Sequence, residues 1–203
     1  MRLVILGGPG AGKGTQAQQL CRLLLLSLVS TSDLLRQAIA SKSDLGLQAQ
    51  VYVEKGELVP DPILIEFMRQ RLSQPDTARC WLLEGYPRTA FQAEELDFLL
   101  DELGQQLNWA IYLQVPEAVM MSRCVERARS VGEAPSPIPE GIVSPGDSRP
   151  DDQPEIVQRR IKLFHERTIP LLEYYEYRQR LLTINGDQSP LQVQQDILQK
   201  LKA

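Results

Sequence analysis

The stretch that most limits what this chain can become is Gly7-Gly8-Pro9-Gly10-Ala11-Gly12-Lys13-Gly14-Thr15. It follows an apolar run, Leu3 to Leu6, that reads as a short buried strand. It opens into Gln16 to Leu24, which has helical composition. A strand, a glycine-rich turn with a lysine and then a helix is the setting in which a phosphate-binding loop forms. Glycines let successive backbone N–H groups point inward without Cβ clashes, and the helix start adds the positive end of its dipole. Lys13 supplies a full charge for the terminal phosphates. The usual form has Ser or Thr directly after the lysine; here Gly14 intervenes and the hydroxyl comes at Thr15.

Further apolar runs at Ser27–Val29, Cys80–Leu83, Trp109–Val115 and Leu181–Ile184 alternate with helical segments. Together with the phosphate-binding loop, that alternation predicts an α/β fold of the P-loop NTPase type, a five-stranded parallel sheet with helices on both faces. Helices are expected over Leu34–Ala40 after the cap-rich Ser30-Thr31-Ser32-Asp33, from about Leu45 to Lys55 with Asp44 as cap, and over Ile63–Leu72. Others follow over Thr89–Leu103, from Pro116, from Pro154 with a break at Pro170, and over Pro190–Leu201. Residues 128–148 gather four prolines and three glycines and no aromatic residue, which reads as either a lid or a disordered stretch. The chain is expected to form one domain over 1–203. Its core would comprise 1–29, 60–127 and 150–203, with a mobile flap at 30–59 and a lid at 128–149.

In such sheets ligands bind outside the carboxyl ends of the strands. The segments expected there are Gly7–Thr15, Ser30–Arg36, Glu84–Arg88 and Asn185-Gly186. The net charge of −4 argues against a general nucleic-acid binder, so an anionic ligand must be held by local arginines. The three cysteines are scattered and have no CxxC spacing, which argues against a disulfide scaffold and a zinc site and fits a reducing cytoplasm. No leader segment is expected, and no apolar run is long enough to span a bilayer.

Several motifs, in order, resemble the adenylate kinases among the nucleoside monophosphate kinases. They are GGPGAGKGT (7–15), STSDLLR (30–36), KGELVPD (55–61), LLEGYPRT (82–89) with Gln92, the pair Arg123 and Arg127, RPDD (149–152) and Arg160. The resemblance is to the bacterial or cyanobacterial type with a short-to-intermediate lid that lacks zinc. It implies the reaction ATP + AMP ⇌ 2 ADP with Mg²⁺, in a cytoplasmic monomer that engages neither nucleic acid nor membrane.

On the same resemblance, Gly10, Ala11, Gly12, Lys13, Gly14 and Thr15 hold the ATP phosphates. Arg127, Gly186 and Gln188 lie beside the ATP adenine. Thr31, Arg36, Gly85, Tyr86, Pro87, Arg88 and Gln92 hold AMP, with Glu57, Leu58 and Val59 lining its base pocket. Arg149 and Arg160 also reach AMP. Lys13, Arg88, Arg123, Arg149 and Arg160 surround the transferring phosphoryl group. Mg²⁺ is placed by Thr15 and, through water, by Asp33 and Glu84.

Phosphoryl transfer needs positioning and charge neutralisation above all, and the planar arginine fork suits phosphate. The acceptor oxygen of AMP is already anionic, so no general base is required. The single histidine, His165, reads as a helix-surface residue. The chain departs from the family pattern at Ser32, where glycine is usual, at Glu84, where aspartate is commoner, at Leu25, where glycine usually precedes the second strand, and in its lid. Two alternatives stand beside this reading: a UMP/CMP-type kinase, and a nucleotide-binding protein with weak turnover. A GTPase is disfavoured because no NKxD element is present.

Overall fold

The computed structural model describes residues 1–54, 59–129 and 153–202. The strands are β1 (Arg2–Leu6), β2 (Ser27–Ser30), β3 (Trp81–Glu84), β4 (Trp109–Gln114) and β5 (Leu181–Asn185). All pair in parallel, in the order β2-β3-β1-β4-β5, so the strand that feeds the glycine loop lies at the centre. Ile5 and Ser30 both register with Glu84, so the carboxyl ends of β1, β2 and β3 are level.

The helices are α1 (Lys13–Leu24), α2 (Thr31–Ala40), α3 (Asp44–Glu54), α4 (Asp61–Leu72), α5 (Ala90–Glu102), α6 (Glu117–Arg129), α7 (Pro154–Tyr177) and α8 (Pro190–Lys202). Two apolar clusters cover the sheet. One joins Val4, Leu6, Trp81 and Leu83 to α4 and α5 and to Leu171 and Tyr175 of α7. The other joins Leu3, Ile5, Leu82 and Ile111 to α1, α6 and α8 and to Val157 and Ile161 of α7. Alternate residues of β1 thus serve opposite faces, as the strand period requires. The expected flap is a helical pair, α2 and α3, whose Leu34, Ala38 and Ala49 join the first cluster.

Five sequence expectations need correcting. The helix through Pro170 does not break: α7 is continuous from Pro154 to Tyr177. Pro170 is exposed while Thr168, Leu171 and Tyr175 are buried. The lost backbone bond therefore falls on the wet side, and the buried stripe holds the helix across it. Helix α4 begins at Asp61 instead of Ile63, because Pro62 sits in the first turn, where its missing N–H costs nothing. Helix α2 begins at Thr31, with Ser30 Oγ accepting from Asp33 N–H at 3.4 Å. At α3, Ser43 and not Asp44 is the cap, its Oγ accepting from Gly46 N–H at 3.1 Å. The first two residues of the expected lid, Ala128 and Arg129, belong to α6. The rest of that span lies outside the described residues, as do Glu57, Leu58 and Arg149.

Candidate active site

The glycine loop runs from the end of β1 to the start of α1. Gly12 caps α1 with φ 88°, and Gly10 has φ 73°. A Cβ at Gly10 would stand 2.5 Å from the Met120 carbonyl oxygen, so the loop is pressed against α6 at a distance only glycine allows. Lys13 Nζ donates to the carbonyls of Gly7 and Gly8, each at 2.8 Å, which lays the ammonium back over the loop. The first turn of α1 carries no acidic residue, so its positive end is left for an anion. A Cβ built at Gly14 would lie 4.0 Å from Glu84 Oε1. The start of α1 therefore faces the end of β3, and Thr15 and Glu84 occupy facing elements.

The neighbouring segment is built around Arg88. Gly85 turns the chain with φ 90°, and a Cβ there would come within 3.3 Å of Thr31 Oγ1. Thr31 Oγ1 donates to the Glu84 carbonyl at 3.1 Å, joining the start of α2 to the end of β3. Arg88 Nε donates to the Gly85 carbonyl at 2.8 Å. The Arg88 N–H donates to Gln92 Oε1 at 2.7 Å, and its carbonyl accepts from Thr168 Oγ1 at 3.2 Å. Gln92 Nε2 in turn donates to Asp61 Oδ1 at 2.7 Å. Thr89 caps α5 by accepting from Gln92 N–H at 3.1 Å. Tyr86 is buried beside Pro87, and its hydroxyl donates to the Gln92 carbonyl at 3.1 Å. Burial, with Glu95 and Asp61 nearby, pushes the Tyr86 phenol well above its ordinary pKa, so it stays a donor. Val59 is buried at the entrance to α4.

At the other end of the sheet edge, Arg123 of α6 donates to the Gly186 carbonyl at 3.0 Å and faces Asp187 Oδ1 at 3.8 Å. The Gly186 N–H donates to the Gln114 carbonyl at 2.8 Å, which seats the loop after β5 on the end of β4. Gln188 Nε2 donates to the Asn185 carbonyl at 2.9 Å and to Asp196 Oδ2 at 2.6 Å. Arg127 Nη2 lies 3.8 Å from Cys124 Sγ, and Arg160 is half-buried on α7.

The fold therefore gathers the glycine loop, Thr31, Glu84, Gly85, Arg88 and Gln92 along three adjacent strand ends. Arg123 meets Gly186 beside β4 and β5, and Gln188 follows in the same loop, turned to Asn185 and Asp196. Arg36 is not gathered with Arg88: it is paired with Asp33 one helical turn earlier, both side chains being more than half exposed. A proposed phosphate ligand and a proposed metal organiser thus engage each other here. His165 is exposed on α7, with Nε2 2.9 Å from Glu117 Oε1, and lines a separate groove of about 850 Å³ between α6 and α7. Among the described residues, no three His, Cys, Asp or Glu side chains gather as a metal cage. Thr15, Asp33 and Glu84 are hard oxygen donors in small number, the set that suits a cation arriving with polyphosphate oxygens and water.

A family model described as adenylate kinase matches residues 5–180, from within β1 through all of α7. The chain belongs to the adenylate kinase family. It is 60% identical to adenylate kinase 2 of Nostoc sp. strain PCC 7120, over 99% of this chain and 98% of that protein. It is 50% identical to adenylate kinase 2 of Synechocystis sp. strain PCC 6803, over 99% and 100%. Identity to the adenylate kinase of Gloeobacter violaceus is 41%, over 93% of each chain. Membership in this family makes the chain a phosphotransferase of the cyanobacterial type.

Two further residues act on Arg88, neither of them given a role by the resemblance. One is Thr168. The buried residues of α7 are Val157, Ile161, Phe164, Thr168, Leu171 and Tyr175. A hydroxyl in an otherwise apolar buried stripe signals a partner elsewhere in the fold. The other is Asp61. Thr89-Ala90-Phe91-Gln92 has the spacing of a capping box, in which the Gln side chain returns to the N–H of the cap residue. Here the amide reaches one residue further, to Arg88, with Asp61 on its other end.

Proposed function

We propose that this sheet edge catalyses the reversible, direct in-line transfer ATP + AMP ⇌ 2 ADP. The observation that carries the reading is the abutment of two phosphate-competent loops after the adjacent strands β1 and β3, with Gly14 and Glu84 face to face. The glycine loop, Lys13 and Thr15 take the donor phosphates, and Arg127, Gly186 and Gln188 border the donor adenine. Thr31, Arg36, Val59, Gly85, Tyr86, Pro87, Arg88 and Gln92 form the acceptor side, to which Glu57, Leu58, Arg149 and Arg160 are assigned. Gln92 retains one N–H and one lone pair beyond the bonds described, enough to meet the acceptor base.

Lys13, Arg88, Arg123, Arg149 and Arg160 neutralise the charge spread over the transferring phosphoryl group, which is the main demand of this chemistry. Mg²⁺ bound with ATP, held by Thr15 and through water by Asp33 and Glu84, would screen the β- and γ-phosphate charge. For Arg36 to reach AMP it must leave Asp33, and the same step frees Asp33 for metal-bound water. We assign the flap to 30–59 and the lid to 128–149, closing over acceptor and donor to keep water from the phosphoryl group.

We read the protein as a cytoplasmic monomer acting on free nucleotides. The free thiols Cys21, Cys80 and Cys124 suit a reducing compartment, and the negative net charge disfavours nucleic acid. No helix among the described residues is long and apolar enough to cross a membrane. The test is ADP formation from Mg·ATP with AMP, CMP and UMP as separate acceptors. AMP is expected to be strongly preferred; a pyrimidine preference, or ATP binding without ADP formation, overturns the reading.

A further inference from the structure

We propose that Thr168 and Asp61 are positioning residues for Arg88, holding the peptide groups on either side of its Cα. The Arg88 carbonyl is fixed directly by the Thr168 hydroxyl at 3.2 Å. Its N–H is fixed by Gln92 Oε1 at 2.7 Å, and Asp61 determines that this oxygen is the atom presented.

The Gln92 amide is 3% exposed. Its two ends have nearly the same shape but opposite hydrogen-bonding character. An ionised carboxylate only accepts, so Asp61 draws Nε2 toward itself and turns Oε1 to the Arg88 N–H. In the opposite flip, Nε2 would face the Arg88 N–H and Oε1 would face the carboxylate, setting donor against donor and acceptor against acceptor. Asp61 therefore chooses the flip.

Thr168 is 8% exposed. A threonine inside a helix commonly returns its hydroxyl to its own preceding turn. This one donates instead across 80 positions of sequence to Arg88. The Arg88 side chain is also tethered by its Nε to Gly85. Helices α4, α5 and α7 thus converge on one residue. An arginine held at its backbone N–H, its carbonyl and its side-chain Nε has little freedom to drift, and small displacements of phosphate ligands cost rate steeply.

This inference rests on the proposal that Arg88 serves the acceptor, and its test separates the two. Steady-state kinetics of the full chain are measured with AMP varied at saturating Mg·ATP, then with ATP varied at saturating AMP, and AMP binding is measured by calorimetry. Thr168→Val is expected to lower kcat/KM for AMP roughly tenfold, the scale for an orphaned buried hydrogen-bonding group. AMP binding should weaken in parallel, while KM for ATP stays within about twofold. Thr168→Ser is expected to restore the AMP values. Asp61→Ala should show the same AMP-selective loss, and Asp61→Asn, which can present its own oxygen to Nε2, should recover most of it.

AMP kinetics in Thr168→Val equal to those of the unaltered chain, or equal losses for both nucleotides, overturn the proposal. If Thr168→Val does not fold, the Asp61→Ala and Asp61→Asn pair decides on the same criteria. Arg88→Ala serves as the reference. No effect of Arg88→Ala on AMP overturns both readings. A loss in Arg88→Ala without one in Thr168→Val or Asp61→Ala overturns this one alone.

Discussion

Arg123 Nη1 lies 3.0 Å from the Gly186 carbonyl oxygen, which ties the helix behind the glycine loop to the turn after the last strand. With Asp187 on its other side, the guanidinium is aimed before any substrate arrives. Arg123→Ala is therefore expected to lower kcat by roughly 10²–10³-fold, the usual cost of removing one donor to developing charge. Arg123→Lys keeps the charge but loses the fork and should recover only part of the rate. Kinetics beside a thermal melt check this; a fall in melting temperature with kcat intact would place Arg123 in the scaffold alone.

Leu25 occupies the left-handed cap of α1, with φ 52° and 83% of its surface exposed. For a residue with a Cβ that conformation costs about 1–2 kcal/mol. Glycine removes the strain but gains about 0.4–1 kcal/mol of unfolded-state freedom. Leu25→Gly is expected to stabilise the chain by roughly 0.5–1 kcal/mol, or about 1–4 °C in melting temperature at this size. Urea and thermal denaturation read it directly, and a lower midpoint would refute it.

Tyr174 donates to Asp97 Oδ2 at 2.9 Å, and the Arg178 guanidinium covers its ring. Burial, reinforced by the bond to Asp97, pushes its pKa up to about 12. Unfolded tyrosine ionises near 10 while the folded group keeps its proton, so this contribution is complete below that pH and fades as pH rises to about 12. Tyr86 and Tyr175 are displaced in the same direction, chiefly by burial. Urea midpoints should fall across this window, and Tyr174→Phe should fall less steeply.

His165 pairs with Glu117 on the outer groove, away from the gathered loops. His165→Ala is expected to leave kcat within about twofold of the unaltered chain, as removal of a residue without transition-state contact does. A large loss in a coupled assay would assign the histidine a role that its position does not suggest.

Much of the architecture was legible because its signals are local. The run from Leu3 to Thr15 announces strand, loop and helix within a few residues, and β1 and α1 follow it closely. Helix starts were harder. Ser43 and Asp44 are both good caps, and only the three-dimensional path shows which one receives Gly46 N–H. Pro170 carries the local signature of a break, yet burial of its neighbours on the opposite side outweighs one missing bond. At the site, motif order pointed to Arg88 and Gln92. Asp61 closes the motif KGELVPD but is given no role there, and Thr168 lies outside every motif; both act on this pair from helices distant in sequence. Asp33 and Arg36 sit one helical turn apart, a spacing that brings side chains together. Their pairing was therefore available to sequence reasoning, but each was assigned its own ligand.

The central place of β1 also governs how the chain must assemble. Its neighbours, β3 and β4, begin only at Trp81 and Trp109. During synthesis β1 has no partner until Trp81–Glu84 has emerged, and its other edge stays open until Trp109–Gln114 follows. Non-local parallel pairing of this kind is slow, and the waiting strand is open to aggregation. The nucleotide loop that hangs from it cannot take its final shape until then. For this enzyme, a loop that precedes nearly all of the sheet in sequence is among the last parts to become competent.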